Sequence, residues 1–437
     1  MKKNIWFDGI MGLVVGDALG CPVQFLSRDR IRERGPVTGM EGYGTYNMPE
    51  GTWTDDSSMA LAAMDSIIHR KGIDPEDIMK RFMKWEFEGA YTPFGEAFDQ
   101  GMTCTEAIYS FRDSGDYRTC GKTGEYANGN GALMRILPVC LYYIDMNNRG
   151  SSGQEIEVCS NLSGQEAEDH ADLYKTNAES KDREAIQGIH LVSGLTHNHL
   201  RSQMACGLYY FLAKEILKGD GASLKECLQR GMDAGLDYYR QDTKNHKEMA
   251  HYRRLADLDQ FAGLPEDKIR SSGYVVDSLE AAIWCLLTTD TFADGLLKAV
   301  NLGLDTDTVA AIAGGLAGLY YGYENIPAEW LAVIQKRDYV EEMCRKCNDI
   351  LRDKENAQKG ERRMTMTFKK AEKMARGLKE NIDFCQEYED AFIFSKKDEF
   401  SIGGDGPVVI LKESGEAINM TGYCDSSKAA LIREIDL

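Results

Sequence analysis

The chain has no run approaching the roughly 18 consecutive apolar residues of a membrane-spanning helix. It is short of positive charge: 51 Lys and Arg face 70 Asp and Glu, for a net charge of -19. A phosphate backbone needs a basic surface to displace its counterions, so nucleic acid is not the expected partner. A small anionic ligand is still compatible, provided backbone amides and metal ions meet its charge rather than lysines. Zinc-finger spacing is missing as well. Cys344 and Cys347 have no second Cys or His pair near them, and they read as neighbouring helical thiols. The twelve cysteines are scattered, mostly within apolar runs, which is the pattern of buried reduced thiols. Asp8 and Gly9 interrupt the start before any signal-peptide core develops, and the expected setting is cytoplasmic.

Strand-like alternation is nearly absent before residue 391. What replaces it is helical periodicity. Apolar residues recur at three- and four-residue steps through 59–70, 76–88, 184–195, 202–217, 223–238, 278–288 and 308–322. A chain of 437 residues can bury a large core and allows about two to three domains. The pattern predicts one compact all-α domain over 1–355 and a small α+β appendage of unknown role over 356–437. In the appendage a charged helical stretch precedes the β-prone runs Ala391–Phe394 and Val408–Leu411, and a Ser414-Gly415 turn leads to a further strand. Residues 145–183 are polar and rich in Ser, Asn, Glu and Asp, and they read as a long surface loop or insertion.

Two Thr/Asp clusters stand about 250 residues apart. Each lies where the sequence switches into an Ala-rich helical pattern. Thr54-Asp55-Asp56 precedes the stripe Met59, Ala60, Ala63, Met64 and Ile67, and helix capping by Thr54 accounts for it on its own. Asp305-Thr306-Asp307-Thr308 is harder to reduce to a cap. One aspartate suffices there, and a second adds repulsion unless a cation offsets it. Asp-x-Asp is also a natural way to aim carboxylates at a hard cation. Brought together, the two helix starts would form an acidic site for one or two divalent ions.

Three further segments bear on chemistry. Gly129-Asn130-Gly131-Ala132 enters an apolar segment; it reads either as an ordinary turn or as a loop whose amides hold phosphate oxygens. Thr196-His197-Asn198-His199 ends a helix. The favoured reading is a pair of histidines stabilised by the helix dipole, with a substrate contact from His197 as the alternative. The small-residue steps Gly12, Gly16, Gly20 and Ala310, Gly314, Gly318, Gly322 read as close helix contacts.

Taken in order, these segments resemble the ADP-ribosylglycohydrolase family, dinitrogenase-reductase-activating glycohydrolases included. The resemblance runs from Gly16-Asp17-Ala18-Leu19-Gly20-Cys21-Pro22-Val23-Gln24-Phe25 through Trp53–Met59, Gly129–Arg135 and Thr196-His197. It closes on Ala299–Thr308 and the Gly/Ala-rich helix beyond. It implies an all-helical fold whose central cleft binds two Mg²⁺ or Mn²⁺ ions. Thr54, Asp55, Asp56, Asp305, Asp307 and Thr308 match the family's metal ligands. The Gly129, Asn130, Gly131 and Ala132 loop matches its diphosphate-binding loop, and His197 a histidine near bound ADP-ribose. The implied reaction releases ADP-ribose from an acceptor by cleaving the bond at C1 of the distal ribose.

The residues agree with this. Oxygen-only ligands favour Mg²⁺, Mn²⁺ or Ca²⁺ over zinc. The expected catalytic residues are Asp55, Asp56 and Asp307: a water activated in the site attacks C1, and Asp55 or Asp56 assists proton transfer. The chain departs from the family at Gln24, where many relatives carry an acid, and at Leu304, where a small residue is common and a larger one would narrow the cleft. Two other readings are a non-catalytic ADP-ribose-binding protein on the same fold and a metal-dependent phosphoesterase.

Overall fold

The computed structural model describes residues 4–151, 165–349, 368–379, 381–397, 406–412, 416–420, 423 and 431–437. Two compact units divide the chain, Met1–Leu351 and Arg352–Leu437.

In the described residues the first unit is helical. At its centre the helices Ile5–Gly20 and Thr306–Tyr321 pack against each other, and both are buried on nearly every face. Glycine makes the approach possible. A Cβ on Gly16 would lie 2.0 Å from the Ala310 carbonyl oxygen, and one on Gly20 would lie 2.4 Å from the Asp307 backbone. The small-residue stripes are therefore packing devices as far as Gly318, and they set Asp17 beside Asp307; Gly322 instead ends its helix at φ 89°. By length and composition Ile5–Val23 could cross a bilayer, but 83% of its apolar window is buried inside the protein. A helix that is apolar all round is what a deep core requires.

The periodic segments form helices Asp55–Arg70, Pro75–Glu88, Leu200–Ile216, Leu224–Arg240 and Val275–Leu287. The expected loop over 145–183 is corrected. Helices Leu137–Ser151 and Gln165–Gly194 occupy both of its ends, and residues 152–164 lie outside the described set. The start of Gln165–Gly194 is rich in Ala, Glu, Asp and Lys. Much of that composition favours helix without an apolar stripe to reveal it.

The second unit contains the helix Phe368–Leu378 and a five-stranded antiparallel sheet in the order β4-β3-β2-β1-β5. The strands are β1 Phe384–Tyr388, β2 Ala391–Ser395, β3 Val408–Leu411, β4 Ala417–Asn419 and β5 Leu431–Asp436. Alternation in β2 sends Phe392 and Phe394 to the cluster holding Ala371 and Ala375, while Ala391 and Ile393 join Val409 and Tyr423. Sequence reading missed β1, because its Gln386 and Glu387 carry no apolar signal. Glu387 instead pairs across the sheet with Lys412 at 2.8 Å and Arg433 at 2.7 Å.

The ten described cysteines are free and buried. Cys344 and Cys347 lie on the helical residues 337–349.

Candidate active site

Asp17, on the Ile5–Gly20 helix, reaches across to the start of the Asp55–Arg70 helix. Its carboxylate accepts from the Thr54 amide at 2.9 and 3.0 Å, the Ser57 amide at 3.0 Å and the Ser57 hydroxyl at 2.6 Å. The Thr54 hydroxyl accepts from the Asp56 amide at 3.4 Å, so Thr54 is indeed the N-cap. With those amides already met, Asp55 and Asp56 are not needed as caps. Both are nonetheless buried.

The second cluster divides its work differently. Asp305 occupies the N-cap position of Thr306–Tyr321, yet its side chain makes no capping bond. It accepts instead from Asn130 Nδ2 at 2.7 Å. Thr306 turns away and donates to the Gly20 carbonyl at 2.7 Å. Asp307 and Thr308 point the other way, and the Thr308 hydroxyl donates to Asp56 Oδ1 at 3.3 Å. Ligand oxygens of Asp17, Asp56 and Asp307 lie within 4.8 Å of one another. Asp56 Oδ2 and Asp307 Oδ2 are buried with no hydrogen-bond partner.

Burial is the first cause raising every carboxyl of this group above its ordinary range. Asp17 reaches about 6, held back by its bonds to Ser57 and Thr54. Asp55, Asp56 and Asp307 are pushed well up, with neighbouring aspartates adding to the burial. Asp305 is raised too, against the pull of its bond to Asn130. Such a group stays ionised only if a cation shares its charge.

A cavity of about 290 Å³ opens onto this cluster. Asp55, Asp305, Thr308, Gly129, Asn130, Gly131 and His197 line it. Thr54, Asp56 and Asp307 are buried outside its lining, and Ala132 is fully buried in the core. Leu304 is 45% exposed and outside the lining, so it does not narrow the cleft. Its backbone accepts from the Phe25 amide and donates to the Leu26 carbonyl at the rim.

Two participants escaped the sequence reading. Asp17 lies within the Gly16–Phe25 segment, where nothing in the local pattern marks it as part of the site. Asp99 sits in a loop at φ 64° and lines the cavity. It accepts a hydrogen bond from the Tyr46 hydroxyl, and burial raises it against the pull of Asp307, Tyr46 and Gln24. A positive φ in a non-glycine residue is a strained conformation that tends to collect at functional sites. No motif surrounds Asp99; its one cue in the sequence is an aspartate two residues before Gly101. Gln24 is 4% exposed, lines the same wall, and leaves its Oε1 without a partner.

The glycine loop is tied on both sides. The Asn130 amide donates to the Gly273 carbonyl at 3.0 Å, and Asn130 Nδ2 also donates to Ser278 at 2.9 Å. His197 packs under the loop, where a Cβ on Gly131 would lie 2.9 Å from the imidazole Cε1. The dipole-stabilised reading fails for both histidines. His197 is 2% exposed, and burial, followed by nearby Arg135, lowers it to about 3, leaving it neutral. His199 is the N-cap of the next helix and accepts from the Arg201 amide at 3.2 Å.

The profile described as ADP-ribosylglycohydrolase matches residues 7–168 and 170–359. The chain is 30% identical over 331 residues to the ADP-ribosylarginine hydrolase Tri1 of Serratia proteamaculans (strain 568), covering 76% of this chain and 75% of the relative. It is 28% identical over 328 residues to the ADP-ribosyl-[dinitrogen reductase] glycohydrolase of Rhodospirillum rubrum, covering 75% and 89%. A solved structure titled ADP-ribosylglycohydrolase-related protein complex superposes with a TM-score of 0.59 at 28% identity, covering 80% of this chain and all of that one.

Proposed function

The chain belongs to the ADP-ribosylglycohydrolase family, and on that premise we propose that it hydrolyses the glycosidic bond between ADP-ribose and an acceptor. The observation that carries this reading is the buried Asp17, Asp56 and Asp307 group, with two orphaned carboxylate oxygens, beside a glycine-lined cavity.

The residues fit a hard divalent cation. All the candidate donors are oxygen, and the unpartnered oxygens of Asp56 and Asp307 are costly to bury unless an ion meets them. We assign Thr54, Asp55, Asp56, Asp305, Asp307 and Thr308 as holders of Mg²⁺ or Mn²⁺, as a pair of ions. Asp17 holds the Thr54–Ser57 turn in place. Bound cations would supply Lewis acidity, offsetting carboxylate charge and polarising the oxygens brought to them.

The protein's own groups divide the remaining work. The 129–131 loop and His197 hold the phosphate end of the ligand, leaving C1 of the distal ribose toward the acidic wall. Attack by water forms the new C1–O bond as the C1–acceptor bond breaks, and the electron pair leaves with the acceptor. Carboxylates of Asp55 and Asp305 stabilise the positive charge that develops at the ribose ring. Asp99 takes the proton from water in place of Asp55 or Asp56: Asp56 lies outside the cavity lining, and Asp55, which lines it, is assigned to the cations, whereas Asp99 lines the cavity and is not. Asp99 then returns that proton to the departing acceptor.

The name of the Serratia relative makes ADP-ribosylarginine the first acceptor to test, and the free, buried cysteines suit the cytoplasm. The decisive experiment offers ADP-ribosylated arginine, serine and nucleic acid, with Mg²⁺ and with chelator, and identifies products by mass spectrometry. Metal-dependent release of ADP-ribose supports the assignment. AMP or phosphate as product would mark a phosphoesterase, and binding without turnover a non-catalytic reader.

A further inference from the structure

Arg135 follows the glycine loop and is 1% exposed. Its guanidinium lies 4.7 Å from the centre of the Phe82 ring. Only Nη2 finds a hydrogen-bond acceptor, the Thr196 hydroxyl at 2.7 Å, while Nε and Nη1 are buried with no partner. A buried cation so poorly partnered is expensive, and packing alone does not call for it.

The hydrogen-bond chain beyond it has a direction. A guanidinium only donates, so the Thr196 oxygen must accept from Arg135. Its own hydrogen is then free for a second partner. Two acceptors lie in reach: His197 Nδ1 at 2.8 Å, and the Cys104 thiol. Sulfur is the weaker acceptor, and the Cys104 hydrogen is itself directed to the Gly131 carbonyl at 3.9 Å. The imidazole nitrogen therefore takes the Thr196 hydrogen. A neutral imidazole with Nδ1 accepting carries its one proton on Nε2. That nitrogen faces the loop, 3.3 Å from where a Cβ on Gly129 would sit.

We propose that Arg135 and Thr196 are positioning residues that lock His197 in its Nε2–H tautomer, so that it offers the cavity an uncharged hydrogen-bond donor for an anionic oxygen. His197 is then neither a base nor a metal ligand through Nε2. It contacts the ligand at the glycine loop, where a donor is wanted and a charge is not. Arginine suits the first position because it stays protonated when buried, whereas a lysine loses its proton readily there. Only the naming of the oxygen, as one belonging to the diphosphate of ADP-ribose, rests on the proposed function.

The test is a long-range ¹H–¹⁵N correlation spectrum of the full chain labelled at its seven histidines, with His197→Gln identifying the His197 signals. His197 is expected as neutral Nε2–H between about pH 5 and 8. Thr196→Ser keeps that tautomer. Thr196→Val populates Nδ1–H and weakens ADP-ribose binding about tenfold by calorimetry, the scale of one lost hydrogen bond. A wild-type Nδ1–H tautomer, an imidazolium in that range, or a tautomer unmoved by Thr196→Val overturns the relay. If the tautomer is as expected but wild-type protein fails to bind ADP-ribose, the functional reading falls and the relay stands.

Discussion

The Thr308 hydroxyl donates to Asp56 Oδ1 at 3.3 Å, joining residues 252 positions apart. This bond fastens one helix start to the other, and with them the two acidic clusters. Asp307, next to Thr308, has one oxygen on the Thr308 amide at 2.9 Å and the other without a partner.

Replacing Asp307 by Asn tests that orphaned oxygen. Hydrolysis is expected to vanish while the far-UV circular dichroism is unchanged. Wild-type protein should gain about 2.7 kcal/mol of stability from Mg²⁺ or Mn²⁺ at roughly 100 times its dissociation constant. The variant should lose that gain in a thermal melt. A full metal-induced rise in Tm would remove Asp307 from the site.

Asp99→Asn should lower kcat by about 10²- to 10⁴-fold with ADP-ribose affinity retained. Tyr46→Phe probes the same group more gently. The Tyr46 bond holds the Asp99 carboxyl down against burial. Its removal raises the Asp99 pKa, so the acidic limb of the pH–rate profile should move to higher pH. An acidic limb that stays in place would show that Asp99 is not the titrating base.

Gly16→Ala puts a methyl 2.0 Å from the Ala310 carbonyl oxygen, a position no side chain can occupy. The two central helices must separate, at a cost of roughly 1–3 kcal/mol or more. Because Asp17 rides on one helix and Asp307 on the other, metal-dependent stabilisation should weaken along with the Tm. A variant that melts as the wild type does would contradict the packing.

Gln24→Glu adds a carboxyl beside Asp99 and Asp305, both of which now draw a hydrogen bond from the Gln24 side chain. Without metal the variant should melt below the wild type, since like charges crowd a buried wall. With Mn²⁺ its gain in Tm should exceed the wild-type gain. Equal gains would place Gln24 outside the reach of the ions.

His190 offers a pH test away from the catalytic wall. Burial lowers it from 6.5 to about 4, and its Nε2 is 2.7 Å from the Tyr239 hydroxyl. Below pH 6.5 the unfolded chain takes up a proton that the fold refuses. Stability therefore falls with pH from 6.5 toward 4, by ~1.4 kcal/mol per unit. Asp17, raised to about 6, works in the opposite sense as it protonates. The measurement is accordingly a difference between chemical-denaturation curves of wild type and His190→Gln. The wild type should lose ground to the variant as the pH falls through this window. Parallel curves would refute the assignment.

Much of the fold was legible because amphipathic helices announce themselves by period. Asp55–Arg70 and Leu224–Arg240 each carry an apolar face that packs inward. Ile5–Gly20 carries no such contrast, since it is buried all round and has no polar face to set a period. Gln165–Gly194 hid for the opposite reason, being polar through most of its early length. Strand β1 was hidden because Gln386 and Glu387 interrupt its apolar residues, and pairing with both neighbours makes it a strand.

The sequence by itself determined the chemistry on offer: hard oxygen donors at two helix starts, a glycine loop between them, and too little positive charge to hold a polyanion. These are properties of residue type and local order, which a linear chain displays. Tertiary structure decided which of those groups meet. It brought in Asp17 from an apolar helix and Asp99 from a loop, and sent the Thr306 hydroxyl away to the Gly20 carbonyl. It also turned His197 from a dipole-stabilised cation into a neutral donor, because burial opposes charge more strongly than a helix end favours it. Those outcomes depend on distance and desolvation, and both exist only once the two central helices have closed on their glycines.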